Sequence, residues 1–306
     1  MKVLTHPAIE KCKQFIQTQC SPLTQALYTH HLEHPNPSLV LAALARYQNS
    51  DGGFGHNLEG DFELPASSPL ATSIAFQILT ELKIPASEPM VKKGIAYLLS
   101  TYDPARPGWI TVPPQVNDYA HASWWHFNSS EGGSSIDHTW GNPTAELVGY
   151  LLHYPSLVPT QTIQPLYSHT LDYLRSHPDQ MEMHEVYCFL RLVENMPEPD
   201  FAQVRQKLVQ LVLNSVSTDP QSWKQYAAQP LNFITSPQSF LFPHLREPVQ
   251  ANLDFRVESL AAQGAFNPPW NWEGYDQAWQ VAKIDISGRN TVADLALLKR
   301  FGRLEV

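Results

Sequence analysis

The chain has 306 residues, 43% of them apolar and only 16% charged, and a formal net charge of −9 from 20 basic and 29 acidic side chains. Such a chain can bury a sizeable core. It lacks the basic footprint that nucleic acid or an anionic membrane surface requires, so no nucleic-acid partner is expected.

In chain order, the N-terminal stretch MKVLTHPAIEKCKQF carries no secretory pattern, and no apolar run approaches the ~20 residues of a membrane span. Three cysteines, Cys12, Cys20 and Cys188, make no disulfide framework and suit a reducing compartment. The expectation is a cytoplasmic protein without a transmembrane segment. Apolar residues at helical spacing predict two helices before residue 35 and a third over 38–48, SLVLAALARYQ. The loop NSDGGFGHNLEGDFELPASSPLAT (49–72) follows. Its Gly52, Gly53 and Gly55 suit positive φ and a cheap helix end. Gln48 is placed to bond the next turn, and Phe54 to plug between hairpins.

Further helices are predicted over 68–82, 89–101, 143–153, 162–176, 181–196, 201–216, 248–262 and 290–301. Ser68-Pro69 and Asn142-Pro143 place a capping side chain before proline at the first helical position, and Asn290 repeats the cap without the proline. GWITVPP (108–114) is at most a short extended piece, because its prolines deny it a central sheet position. Period-2 alternation is otherwise nearly absent, and the 26 prolines fall mostly between helices. The fold class is all-α.

The connections repeat one another. The fullest copy is Gln48-x-x-Asp51-Gly52-Gly53-Phe54-Gly55. Weaker copies are STYDPARPGW with Asp103, Gly108 and Trp109, STDPQSW with Asp219 and Trp223, and AAQGAFNPPWNW with Gln263, Gly264 and Phe266. Helix pairs that cannot bury their faces alone stack side by side.

LARYQNSDGGFG resembles the glutamine–aromatic repeat of the prenyltransferase and squalene-cyclase superfamily. HASWWHF (121–127) followed by WGNPTAELVGYLL (140–152) is similar to a bacterial group of toroid proteins within it. The resemblance implies one α/α-toroid domain over residues 1–306, with helical hairpins around a central cavity. The catalytic strings of the best-known members do not carry over. The Asp-x-Asp-Asp motif of class II cyclases is missing, and the nearest segment, SSIDHTWGNPTAE, holds only Asp137. The Asp-x-Cys zinc pair is missing too, since Val186 stands two residues before Cys188. His184 and Cys188 share a helical face but match no established zinc spacing. No metal and no cofactor is expected.

The chain's densest acid, histidine and tryptophan content lies in 49–68 and 117–142. His56, Asp61 and Glu63 precede the capped start at Ser68, where helix N-termini favour carboxylates with or without chemistry. Trp124, Trp125, His126 and Trp140, with His56, Asp61 and Glu63, are candidate ligand-binding residues. Aromatic faces suit a carbocation or a sugar ring, and adjacent tryptophans cannot both face one way. Asp137 is the candidate acid, assisted by His138. Three function classes stay open. One is a terpenoid cyclase- or prenyltransferase-like protein that takes an apolar or isoprenoid ligand into an aromatic cavity. The others are a carbohydrate-active, lyase-like enzyme acting on a saccharide, and a non-catalytic binding or scaffold protein.

Overall fold

The structure is a computed structural model that describes residues 1–305. It is all-helical, with no β-strand among the described residues. No helix among them is long and apolar enough to cross a membrane. The chain forms two compact units, one of residues 45–215 and one of residues 1–44 together with 216–306.

The unit of residues 1–44 and 216–306 holds α1 (His6–Gln19), α2 (Pro22–Tyr28), α3 (Pro37–Leu44), the short α10 (Pro230–Phe233), α11 (Arg246–Gln263) and α12 (Asp276–Arg300). Ser21 caps α2 by accepting from Thr24 N, with Pro22 in the first turn. α12 packs against α1, α2 and α11 over a core that includes Leu4, Ile16, Leu23 and Leu295. The chain ends meet here: Leu4 N donates to Arg303 O (2.8 Å) and Glu305 N to Leu4 O (2.9 Å). Arg303, 1% exposed, donates to Asp254 Oδ1 at 2.6 Å and to Lys2 O at 2.7 Å.

α12 corrects one expectation. It runs unbroken through Asn290, which is no cap: its amide donates back to Ile286 O, and Thr291 Oγ1 donates to Ser287 O. Both side chains are satisfied by the preceding turn, so the helix has no reason to start there.

The unit of residues 45–215 holds α4 (Pro69–Glu81), α5 (Pro89–Thr101), α6 (Gly141–His153), α7 (Thr160–Ser176), α8 (Met183–Val193) and α9 (Glu198–Ser215). Its fully buried rings include Phe54, Phe62, Phe76, Trp109 and Phe189. Ser68 caps α4 as expected, accepting from Ala71 N at 3.0 Å. α6 and α8 pack most closely, because Gly149 faces Leu192 and a Cβ there would stand 3.0 Å from the Leu192 Cα. Asn142 is a second correction. Its backbone is non-helical within the first turn, and its side-chain oxygen receives Cys188 Sγ rather than a backbone N–H. Glu185 from α8 takes over the capping, accepting Gly141 N at 2.7 Å.

Three of the four repeated connections share a physical device. Asp51, Asp103 and Asp219 each accept the backbone N–H two residues on, from Gly53, Ala105 and Gln221, which tightens the exit from a helix. Trp109 and Trp223 then donate their ring N–H back to Leu98 O and Ser217 O. Gln48 bonds the next element as expected, donating to Gly52 O and to Met90 O in the first turn of α5. Among its three glycines only Gly52 takes a positive φ, 92°. Gly53 and Gly55 serve close approach instead: a Cβ on Gly55 would lie 2.3 Å from the carbonyl oxygens of Pro65 and Ala66.

Candidate functional site

The sequence-selected residues fall into two groups within the 45–215 unit. In the first, the acidic loop pairs with the segment before the tryptophans: Ala122 N donates to Asp61 O and Glu63 N to Ala120 O. Phe62 sits edge-on to Trp125 with ring centroids 6.0 Å apart. Trp125 is buried, so of the two adjacent tryptophans it is the one that packs, while Trp124 is half-buried. The His126 ring stacks on the buried His121, with Nδ1 3.2 Å from His121 Nε2. His56 stands apart on the surface, its Nε2 2.8 Å from Asn49 Oδ1.

The second group centres on Asp137 and Trp140. The Asp137 side chain is 6% exposed and its oxygens are committed. Oδ1 accepts Thr111 N at 2.9 Å, and Oδ2 accepts Thr111 Oγ1, Ser134 N and Ser134 Oγ at 2.6, 2.8 and 2.9 Å. Arg106 closes the set, with Nη2 on the Asp137 carbonyl at 2.6 Å. A carboxyl group whose oxygens are taken up by this many donors is spent on fixing a loop. His138 turns outward to Glu131, 3.0 Å away, and both are exposed. One hydrogen bond, Ser135 Oγ to Trp124 O, ties the two groups together.

Trp140 is the hinge of this arrangement. Its ring N–H donates to Pro107 O at 3.0 Å. Its ring lies 5.1 Å from that of His169 and 4.7 Å from that of Tyr173 on α7. Asp137 through Arg106, and Trp140 through Pro107, thus pin the 102–108 loop after α5. Between that loop and the first turns of α7 lies a cleft of about 610 Å³. Leu99, Tyr102, Pro104, Pro107, Pro159, Pro165 and Leu166 make its lining mostly apolar, and Gln161, Thr162 and His169 complete it. The volume is within the usual range of roughly 300–1,000 Å³ for small-molecule pockets.

Sequence reasoning passed over a polar seam between α4, α6 and α8. Glu146, 2% exposed, is 2.6 Å from Arg191 Nη1, and Gln77 Nε2 stands 3.4 Å from both Glu146 oxygens. Burial presses the Arg191 guanidinium downward, but Glu146, with Tyr150 and Cys188 beside it, lifts it above its ordinary value. Burial, then Glu146, pushes the Tyr150 hydroxyl and the Cys188 thiol well up, so both stay protonated. Glu185, 1% exposed, also accepts Tyr173 Oη at 2.8 Å. The available signal was a single acid inside the otherwise apolar helix NPTAELVGYLL, matched by Arg191 inside CFLRLV. His184 and Cys188 do not converge: His184 Nδ1 faces Glu182 at 2.8 Å, while Cys188 faces Asn142. Among the described residues no group of three or more His, Cys, Asp or Glu side chains is placed to hold a metal ion.

No family model matches the chain, and the searches of curated proteins and of solved structures returned no significant match.

Proposed function

We propose that the 45–215 unit binds an apolar small molecule, of isoprenoid character, in the cleft between the 102–108 loop and α7. The carrying observation is a cleft of about 610 Å³ walled by leucine, tyrosine and four prolines, beside the half-buried ring of Trp140. Rigid proline walls cost little entropy on binding, and removing apolar ligand surface from water is worth roughly 25 cal/mol per Å². A saccharide is a poorer occupant, since only Tyr102, Gln161, Thr162 and His169 carry polar side-chain groups to answer its hydroxyls. The proposed activity is binding, with no bond-breaking step assigned. Asp137 and Trp140 act as positioning residues for the cleft wall.

The α/α-toroid arrangement and the prenyltransferase and squalene-cyclase likeness belong to the same proposal. They are supported by the Asp turns at Asp51, Asp103 and Asp219, which recur at helix exits as a repeat of hairpins requires.

The test is titration with farnesol, followed by tryptophan fluorescence, for wild type and Thr162→Trp. The new ring should fill the cleft and weaken binding by about tenfold or more. Equal affinity in both proteins would place the ligand elsewhere, and no saturable binding to wild type would end the proposal.

A further inference from the structure

A second cleft, of about 630 Å³, lies in the unit of residues 1–44 and 216–306, and its floor is unlike that of the first. Arg256 on α11 and Asp294 on α12 form a buried ion pair there, their side chains 9% and 12% exposed. Arg256 Nη1 donates to both Asp294 oxygens, at 3.1 and 3.0 Å. Nε is buried with no hydrogen-bond partner. A buried guanidinium donor left without an acceptor forgoes part of its hydrogen-bonding energy, an unusual arrangement in a folded interior. The half-buried ring of Phe266 lies 5.7 Å from the Arg256 Cζ, and the half-buried Phe255, edge-on to Trp223, also lines the cleft. Gln229 also lines the cleft, fixed by Asn252 and by its own bond to Trp223 O.

The charge balance selects the ligand. Arg256 and Asp294 cancel each other, while the exposed Glu258 pairs with Lys2 and the exposed Lys224 donates to Gln221 Oε1. An anion seated on this floor would leave a net buried negative charge beside Asp294, and a cation would meet the guanidinium, so either pays an uncompensated desolvation cost. A hydroxyl pays none. It accepts from Arg256 Nη2, which the ion pair through Nη1 does not use, and donates to a carboxylate oxygen or to an amide, while carbon-bound hydrogens of a ring rest on Phe255 and Phe266.

We infer that this cleft is a binding site for a neutral small molecule carrying adjacent hydroxyl groups on a compact ring, a cyclic polyol or short saccharide, seated on the Arg256–Asp294 pair beside Phe255 and Phe266. It is separate from the apolar cleft of the other unit and does not depend on it.

Saturation-transfer NMR on the full chain tests this with myo-inositol, maltose and cellobiose as neutral probes, and inorganic phosphate as the anionic control by calorimetry. Two variants accompany the wild type. Ser259→Trp fills the cleft without touching the ion pair. Arg256→Met with Asp294→Leu replaces both charges together, so neither is left buried alone. The expected result is saturable binding of at least one neutral probe, weakened by about tenfold or more in both variants, and no phosphate binding. Retained farnesol binding in both variants would show that the other cleft is intact. The inference is overturned if no neutral probe binds, if binding survives Ser259→Trp unchanged, or if phosphate binds and is lost in the same variants.

Discussion

Asp137 shows how a catalytic-looking residue is spent on structure. Its carboxylate takes donors from Thr111 and Ser134, and its backbone carbonyl takes Arg106, so one residue ties the 106–111 stretch to the 134–137 stretch. Asp137→Asn replaces an acceptor by an amide that meets donors on every side. At about 1–3 kcal/mol for an unmade buried hydrogen bond, urea unfolding should show a clear loss of stability. An unchanged midpoint would mean that the frame is not held this way, and would return Asp137 to the list of candidate acids. The cysteines are structural on similar grounds. Burial raises the thiols of Cys12 to about 11 and Cys20 to about 12, and lifts Cys188 well above its ordinary value, far from any reactive thiolate.

At the scale of elements, the turn after α3 depends on closeness as much as on backbone freedom. Gly52 alone needs a left-handed conformation, while Gly55 is fixed by two carbonyl oxygens that stand where its Cβ would be. Backbone cannot yield as a flexible side chain can. Gly55→Ala should therefore destabilise by about 1–3 kcal/mol despite adding only a methyl group, measured by thermal or urea unfolding. A wild-type melting temperature would contradict the packing described for 55 and 65–66. The helices themselves were legible in the sequence, because 3.6-residue periodicity is set locally: 89–101 and 69–81 fall within a residue of their expected bounds. Starts governed by distant partners were not. Asn142 reads as a cap, but Glu185, 43 residues on, supplies the acceptor for that helix. Asn290 reads as a start, but its amide is satisfied by its own helix.

At the scale of the whole molecule, the chain ends are locked together by Asp254. Its carboxylate accepts Lys2 N at 2.7 Å and Arg303 Nη1 at 2.6 Å. Burial pushes its pKa up, but these hydrogen bonds and the Arg303 charge outweigh burial and hold it below the usual carboxylate range. A depressed folded value means stability that is present above the unfolded pKa of about 3.9 and lost as pH falls through the folded one. Asp254→Asn should therefore unfold more easily than wild type at neutral pH, with the gap closing as pH falls below about 4. A gap independent of pH would show that the carboxylate charge is not the cause.

Sites were less legible than helices for a related reason. Clusters of acid, histidine and tryptophan mark loops rich in polar contacts, but only the tertiary arrangement shows that Asp137 and Trp140 both hold the loop beside the cleft. Leucines and prolines that line a cleft look in sequence like any other packing residues. The central claim, an apolar ligand beside Trp140, is most directly tested by photo-crosslinking with a diazirine analogue of farnesol and mapping the adducts by mass spectrometry. The account predicts adducts on peptides covering 99–107 and 159–169, suppressed by unlabelled farnesol. Adducts confined to other segments, or labelling that farnesol does not suppress, would contradict it.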